Sequence, residues 1–336
     1  MLTERQLEVV MAVVYEYIEN GEPAGSRTIA RKYLKGCSAA TIRNEMSDLE
    51  NMGYLYQPHT SAGRLPTPAA YRLYVDAIMQ RRRTPLKGME GWLNDVRDQR
   101  RDIESLMSYA SQLLGKVTSY IGVAAIAPLE DMAIHRIDFL RLGGDTVLMV
   151  IVLEDGIVHS RTIVLPADVS QDMLDMLSRS INTIASGNPW GQVRKVIYSY
   201  LFQELEKIFR SCKEAIDQMD IVLSSRKYRL FTGGASYILS LPDFQDVMKL
   251  KAILSILEEE QSLAEIVDKC SGKEGVKVTI GDENPVPGIS SCSVVTAASS
   301  SKGQRAVLGL IGPMRMDYER SIALLETMLK GLYEEF

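Results

Sequence analysis

Apolar residues in the first part of the chain recur at helical spacing and stop at glycines, which predicts a series of short helices. The first helix has Thr3 as its expected cap and ends at the break 21–25. Ser26 is then expected to cap a second helix that runs to about Lys35. The apolar positions of the first helix follow one stripe: Leu7, Val10, Met11, Val14, Tyr17 and Ile18.

A third helix is predicted at about Ala39–Met52, with Ser38 as its N-cap and Gly53 at its end. Its apolar stripe consists of Ile42, Met46 and Leu49. The opposite side, with Arg43 at its flank, is small and polar: Ala40, Asn44, Ser47 and Asn51. Small and amide side chains allow close approach to base edges, since asparagine bonds adenine at two points and arginine bonds guanine likewise.

A short β-hairpin is expected after this helix, with strands at Tyr54–His59 and Arg64–Thr67. Pro58 suits an edge strand and Gly63 permits the turn. Helices followed by a hairpin are the layout of a winged helix-turn-helix, which inserts one helix into the major groove of double-stranded DNA. The candidate DNA-binding residues lie on the third helix and on the hairpin: Ser38, Ala40, Thr41, Arg43, Asn44, Ser47, His59, Thr60 and Arg64.

Charge supports this interpretation. The 336-residue chain has 38 basic and 43 acidic side chains, yet residues 27–83 have ten basic and four acidic ones, a local net charge of +6. A basic module on an acidic body is typical of a protein that faces phosphates.

The middle of the chain predicts an antiparallel meander, because three strand patterns are separated by short turns. The strands are expected at Ile134–Leu142, Thr146–Leu153 and Ile157–Leu165, followed by helices at about Asp168–Ser186 and Trp190–Leu223. This three-stranded sheet with helices is interpreted as an insertion at 131–226.

The segments flanking the insertion predict a second, interrupted α/β domain. A helix from Trp92 and a strand at 120–127 precede the insertion, and 230–239 is expected to be a turn and a helix start. A helix at about Phe244–Cys270 and a helix at the C-terminal end of the chain enclose three further strands: Val276–Ile280, Cys292–Ala298 and Ala306–Ile311. The expected domains are 1–80, a linker 81–91, a discontinuous domain of 92–130 and 227–336, and the insertion 131–226.

Several protein classes lack support in the sequence. There is no apolar run of membrane-spanning length and no secretory signal, so a cytoplasmic protein is expected. The four cysteines and three histidines show no metal-ligand spacing. No phosphate loop, GxSxG or HExxH occurs, so no catalytic site, metal or cofactor is expected.

Several runs of residues carry a family resemblance. The segments 40–50, 57–67 (Gln-Pro-His-Thr-Ser-Ala-Gly-Arg-Leu-Pro-Thr) and 71–76, with 308–320 near the end, resemble the bacterial HrcA family of heat-inducible repressors. The resemblance implies a winged helix, a GAF-like domain and an inserted dimerisation domain. It also implies a homodimer that binds an inverted-repeat operator of chaperone operons and depends on the chaperonin GroEL.

Two alternatives stay open from the residues. A small effector bound in the GAF-like domain would make the protein a metabolite-responsive regulator, and an apolar pocket with convergent polar groups would favour this. A protein-interaction scaffold would show only weak, salt-independent binding to nucleic acid.

Overall fold

The computed structural model describes residues 2–59, 62–81, 103–126, 133–154, 158–166, 168–192, 194, 196, 215–220, 228–270, 274–301 and 304–334. Most of the expected linker 81–91, the start of the helix from Trp92 and most of the Trp190–Leu223 helix lie outside these residues. The chain forms two compact units. The first consists of Met1–Ala124, Phe231–Ala298 and Leu308–Leu332, and the second of Ala125–Leu230, Ser299–Val307 and Tyr333–Phe336.

The first unit begins with four helices and a hairpin, here called the head (residues 2–59 and 62–81). Its elements are α1 (Glu4–Asn20), α2 (Ser26–Lys32), α3 (Ala39–Asn51), β1 (Leu55–Tyr56), β2 (Leu65–Pro66) and α4 (Pro68–Met79). The strands pair antiparallel, with Leu55 opposite Pro66 and Tyr56 opposite Leu65. The two strands are shorter than the sequence predicts.

Local signals explain where the helices of the head start and stop. Thr3 caps α1, because its hydroxyl accepts from the Gln6 amide at 3.2 Å while the Gln6 side chain accepts from the Thr3 amide at 3.0 Å. Gly21 follows with a φ of 70°. The expectation that Ser26 caps α2 is wrong, since Ser26 is the first helical residue and Gly25 holds the N-cap position without a side chain.

The apolar stripes of the helices pack together in one hydrophobic interior within the head. The fully buried side chains include residues of all four helices and of the hairpin: Val9, Val10, Val13, Val14, Ile29, Ile42, Leu49, Leu55, Ala70 and Val75. Burial of these apolar side chains supplies the main stabilisation of so small a module.

The rest of the first unit, here called the core, is built around a five-stranded sheet in the order β8-β3-β11-β10-β9. The strands are β3 (Ile121–Ile126), β8 (Arg229–Gly233), β9 (Gly275–Ile280), β10 (Cys292–Ser301) and β11 (Gln304–Pro313), some of whose terminal residues belong to the second unit. The helices are α5 (Ile103–Thr118), α7 (Val247–Glu258), α8 (Glu260–Cys270) and α9 (Tyr318–Glu334). The chain thus returns to this sheet after the second unit.

Two glycines explain how closely α5 approaches the end of β8. A Cβ on Gly115 would lie 2.6 Å from the Cα of Gly234, which has a φ of 80°. Gly115 and Gly234 therefore serve backbone packing.

The second unit contains a four-stranded sheet in the order β6-β5-β4-β7. Its elements are β4 (Ala133–Gly143), β5 (Thr146–Leu153), β6 (Val158–Val164), α6 (Gln171–Ala185) and β7 (Asn188–Pro189). The predicted antiparallel meander is confirmed, with Phe139 opposite Met149 and Met149 opposite Arg161. The expected count of three strands is corrected to four, because β7 pairs with the start of β4.

Two predictions for the core are wrong. The helix expected at Phe244–Cys270 is broken, since Glu259 has an extended backbone (φ −94°, ψ 102°) between α7 and α8. The segment expected as a turn before a helix contains strand β8 instead, and the short 3₁₀ helix Tyr237–Ser240 follows. Along the described part of the chain, no helix combines the length and the apolar character needed to span a membrane.

The described cysteines are thiols. Cys270 and Cys292 are buried and Cys37 is partly exposed. Burial raises the pKa of Cys292 to about 12 and also raises the pKa of Cys270. Both thiols stay protonated near neutral pH, which makes them unreactive.

Candidate nucleic-acid interface

Helix α3 has one buried and one exposed side, and its start is fixed by a side-chain cap. The Ser38 hydroxyl accepts from the Thr41 amide at 3.0 Å and lies 2.9 Å from the Thr41 hydroxyl. Inside the head the helix buries Ile42, Glu45, Met46 and Leu49. Ser38 and Thr41 thus set the first turn of the helix.

Four of the predicted site residues lie on the exposed side of α3. Ala40, Arg43, Asn44 and Ser47 are all exposed. They recur at intervals of three and four residues, so they occupy one side of the helix. Arg43 makes no ion pair with any described residue, and its guanidinium is available for an external acceptor.

Glu45 is a buried carboxylate that sequence reasoning missed. Arg5 on α1 holds it, with its Nε 2.6 Å and its Nη2 2.5 Å from the Glu45 Oε1. An acidic residue within an apolar stripe, with an arginine on a neighbouring helix, is the signal that could have identified the pair. The pair fixes the rotation of α3 about its axis relative to α1.

A second buried carboxylate, Glu16, ties α1 to α2. Lys32 Nζ lies 2.9 and 3.0 Å from its two oxygens, and the Tyr33 hydroxyl donates to it at 2.7 Å. Burial raises the pKa of Glu16, but the hydrogen bonds from Tyr33 and Lys32 and the charge of Lys32 outweigh burial and lower the pKa below its ordinary value. The carboxylate therefore stays ionised at neutral pH.

The hairpin is attached to the segment that precedes α2. Gly63 lies against the backbone of Ala24, where a Cβ would be only 2.4 Å from the Ala24 carbonyl oxygen. Arg64 and Ala24 exchange two backbone hydrogen bonds of 2.9 Å each. Glycine is therefore required at position 63, and the hairpin is fixed beside the start of α2.

Arg64 does not extend from the hairpin into solvent. Its side chain is only 17% exposed, and its Nη2 lies 2.8 Å from the Glu50 Oε2. Glu50 also accepts from the Gln57 amide at 3.0 Å. The arginine thus joins β2 to the last turn of α3. His59 is exposed near the end of the hairpin, and Thr60 lies outside the described residues.

A cleft of about 420 Å³ lies between the start of α2, the exposed side of α3 and the hairpin. Three arginines line it, namely Arg27, Arg43 and Arg64, and its described lining contains no carboxylate. The Arg64 Nε is buried and has no hydrogen-bond partner among the described residues. A cleft with three guanidinium groups and an unsatisfied donor favours an anionic ligand.

The basic residues of the head differ in whether an acidic side chain neutralises them, which a count of charges along the sequence does not show. Lys32 and Arg64 pair within the head, and Arg72 pairs with Glu283 in the core. Arg27 and Arg43 pair with no described residue and lie together at the cleft. Among the described residues, no group of acidic, histidine or cysteine side chains could hold a metal ion.

Comparison with known proteins identifies relatives over almost the whole chain. The family model described as the HrcA protein C terminal domain matches residues 104–322. The heat-inducible transcription repressor HrcA of Pelotomaculum thermopropionicum is 35% identical, with 98% of this chain and 96% of that protein aligned. The protein of the same name from Desulforudis audaxviator is 36% identical, over 98% of this chain and 97% of that protein.

A solved structure with a similar fold is among the matches. It is described as a crystal structure of a hypothetical protein at 2.2 Å resolution. The alignment includes 100% of this chain and 99% of that protein's chain, with a TM-score of 0.62 and 23% sequence identity.

Proposed function

Because this chain belongs to the HrcA family of heat-inducible transcription repressors, we propose that it represses chaperone operons by binding an inverted-repeat operator as a homodimer. The head is then a winged helix-turn-helix, the core a GAF-like domain, and the second unit an inserted dimerisation domain. The observation that carries the proposal is the exposed side of α3, which stands beside the arginine-lined cleft.

In this proposal α3 reads bases in the major groove. Ala40 and Ser47 are small enough for the helix to approach the base edges, while Asn44 supplies the bidentate contact to adenine. Arg43 lines the cleft and faces the DNA backbone from there. Ser38 and Thr41 act through the cap that fixes the first turn. His59, with Thr60, contacts the DNA from the hairpin.

The cleft receives a phosphate of the DNA backbone. Arg27 and Arg43 supply charge from two helices, and the Arg64 Nε supplies a buried donor. Phosphate contacts fix the register of the helix on the duplex without reading sequence. Because Glu50 already neutralises its charge, Arg64 acts chiefly as the anchor of the hairpin and as the floor of the cleft.

A homodimer is supported by the second unit. On one face of its sheet, Leu140 of β4 lies opposite Leu148 of β5, and Leu148 lies opposite Thr162 of β6. Leu140 is 53% exposed, and Val158 and Val164 at the edge strand are 57% and 64% exposed. The same face also has the Arg136–Asp138 ion pair, so it combines exposed apolar residues with charged ones, as interaction surfaces do. A second copy would bury it and place two heads on two half-sites.

The chaperonin GroEL is proposed as the partner that keeps the repressor active. The support is the family membership, together with a first unit assembled from three separated segments of chain. Units that need long-range contacts fold slowly and through aggregation-prone intermediates. Heat then removes active repressor when unfolded proteins occupy the chaperonin.

The decisive experiment is footprinting of the purified protein on promoter DNA upstream of the chaperone operons of its own organism. We expect protection of two half-sites related by an inverted repeat, at nanomolar protein. Equal affinity for unrelated duplexes at every salt concentration would contradict the proposal.

A further inference from the structure

Beside the exposed Arg81–Glu319 ion pair of 3.8 Å, two further arginines lie where the head meets the core, and the proposed reading of DNA uses neither. The first is Arg72 on α4. Its Nε donates to the Glu283 Oε1 at 2.9 Å, its Nη2 reaches the other carboxylate oxygen, and Nη2 also donates to the Val278 carbonyl at 2.8 Å. The fork of a guanidinium on a carboxylate sets direction as well as distance.

Glu283 is itself held rigidly in the core. Its Oε2 accepts from the Ile280 amide at 2.9 Å, so the carboxylate closes the 3₁₀ turn Gly281–Glu283. The backbone of Gly281 has a φ of 60°, and a Cβ there would lie 3.6 Å from Pro68 at the start of α4. Arg72 is thus bound to a fixed point on the sheet edge at β9.

The second contact is Arg315, on the turn after β11. Its Nε lies 2.8 and 3.0 Å from the two oxygens of Asp243, and its Nη2 lies 2.8 Å from one of them. The same guanidinium lies against Gly21, where a Cβ would be 3.3 Å from Nη1. The ion pair itself lies within the core, and the guanidinium held by it approaches the carboxyl end of α1, where a helix dipole favours a cation.

A cluster of tyrosines also joins the head to the core. Tyr71 and Tyr74 of α4 stack at tilted angles on Tyr318 of α9, with ring centroids 6.2 and 6.4 Å apart. Tyr318 is fully buried, and its hydroxyl lies 2.6 Å from the Ser293 hydroxyl and donates to the Met314 carbonyl at 2.6 Å. The head thus contacts the core through packed aromatic rings, through the Arg72–Glu283 ion pair and through the approach of Arg315 to Gly21.

Three points of attachment fix a rigid body, while one would leave it free to pivot. We propose that Arg72 and Arg315 are positioning residues, which hold the head at one orientation on the core so that the two heads of a dimer match one half-site spacing. The inference rests on the proposed operator binding. It adds that spacing selectivity comes from these head–core contacts, while base selectivity comes from α3.

The test uses the full chain and three variants, Arg72→Glu, Glu283→Arg and the double exchange Arg72→Glu/Glu283→Arg. Lys269→Glu is the matched control, because it breaks the exposed Lys269–Glu265 pair within α8. Each protein is titrated with a duplex of one half-site and with inverted repeats whose half-sites are moved apart base pair by base pair.

We expect the single exchanges to lower affinity for the optimal inverted repeat about tenfold and to broaden the preferred spacing, since a pivoting head loses effective concentration at its second half-site. The affinity of the single exchanges for one half-site should stay within about twofold of that of the unchanged protein. Lys269→Glu should stay within about twofold on every duplex. The double exchange should recover part of the spacing optimum, because it restores the ion pair but neither the Ile280 amide's acceptor nor the hydrogen bond to the Val278 carbonyl.

Three outcomes would overturn the inference. The first is that the single exchanges keep the same preferred spacing. The second is that they bind the inverted repeat more tightly, which would mean that the ion pair restrains the head instead of positioning it. An equal loss on the half-site duplex is the third, because the residues would then serve the folding of the head. Absence of half-site binding by the unchanged protein would instead contradict the proposed function.

Discussion

The Arg64 Nη2 lies 2.8 Å from the Glu50 Oε2, so a hairpin arginine that sequence places toward DNA instead joins the hairpin to the last turn of α3. Arg64→Ala should lower operator affinity by about 1 kcal/mol without changing the salt dependence, since Glu50 already neutralises its charge and no counterion release depends on it. Glu50→Gln should not reduce the salt dependence either, because it leaves the Arg64 cation in place and removes only its partner.

The matched comparison is Arg43→Ala, which removes an unpaired cation at the cleft. It should reduce the slope of log affinity against log salt by about 0.9 for each phosphate that the arginine neutralises. Affinity measured from low to moderate salt separates the two arginines. A reduced slope in Arg64→Ala, with none in Glu50→Gln, would show that the Arg64 charge binds a phosphate.

Base reading should depend on Asn44. Asn44→Ala should cost about 1–3 kcal/mol on the operator and relax the preference at one base in each half-site. Binding to a library of half-sites measures both quantities. Asn20→Ala, at the exposed end of α1, is the control and should leave the preference unchanged. If Asn44→Ala keeps the full base preference, α3 is not the reading helix.

The elements with strong local signals could be predicted from the sequence. Ser38 and Gly53 bracket α3 as expected, with a hydroxyl cap at one end and a φ of 81° beyond the other. The meander of the second unit also follows from short turns between apolar runs. Such signals act over a few residues, so a single sequence contains them.

The misses have physical reasons as well. The break at Glu259 has no glycine or proline to announce it, and Val247, expected in a buried stripe, is 74% exposed. The pair of Arg72 and Glu283 joins residues 211 positions apart, and the anchoring of Arg64 depends on how the hairpin folds back. Tertiary packing determines these contacts, and no local pattern encodes them.

The Glu16 network should make the head sensitive to acid. Because the folded pKa of Glu16 is lowered from 4.5, its contribution to stability is complete above that pH and is lost as the pH falls through the folded pKa. Glu16→Gln should cost about 1–3 kcal/mol at pH 7 and progressively less below pH 4.5.

Thermal unfolding of both proteins across this pH range tests the prediction. Glu8→Gln, which changes an exposed glutamate of the same helix, is the control and should have little effect. A constant difference between Glu16→Gln and the unchanged protein down to strongly acid pH would show that its charge does not stabilise the head.

The dimer should depend on the open face of the sheet in the second unit. Leu140→Asp places a charge on that face and should produce monomers that bind only with half-site affinity. Leu239→Asp is a closely matched control, since Leu239 is 54% and Leu140 53% exposed and they lie in different units. Analytical ultracentrifugation decides, and a dimer that persists in Leu140→Asp would move the interface elsewhere.

Recovery from heat should require the chaperonin. The first unit closes only when α9 and β11, near the end of the chain, pack with segments more than a hundred residues earlier, such as Tyr71 on Tyr318. Exposed apolar side chains such as Val247 and Met248, each 74% exposed, add to the surface that a refolding chain presents.

After mild heating we therefore expect operator binding to be lost and to return only with GroEL and ATP. GroEL without ATP is the control, because it should bind the unfolded chain without releasing folded repressor. Full recovery in buffer alone would contradict chaperonin dependence and would favour an effector bound in the core.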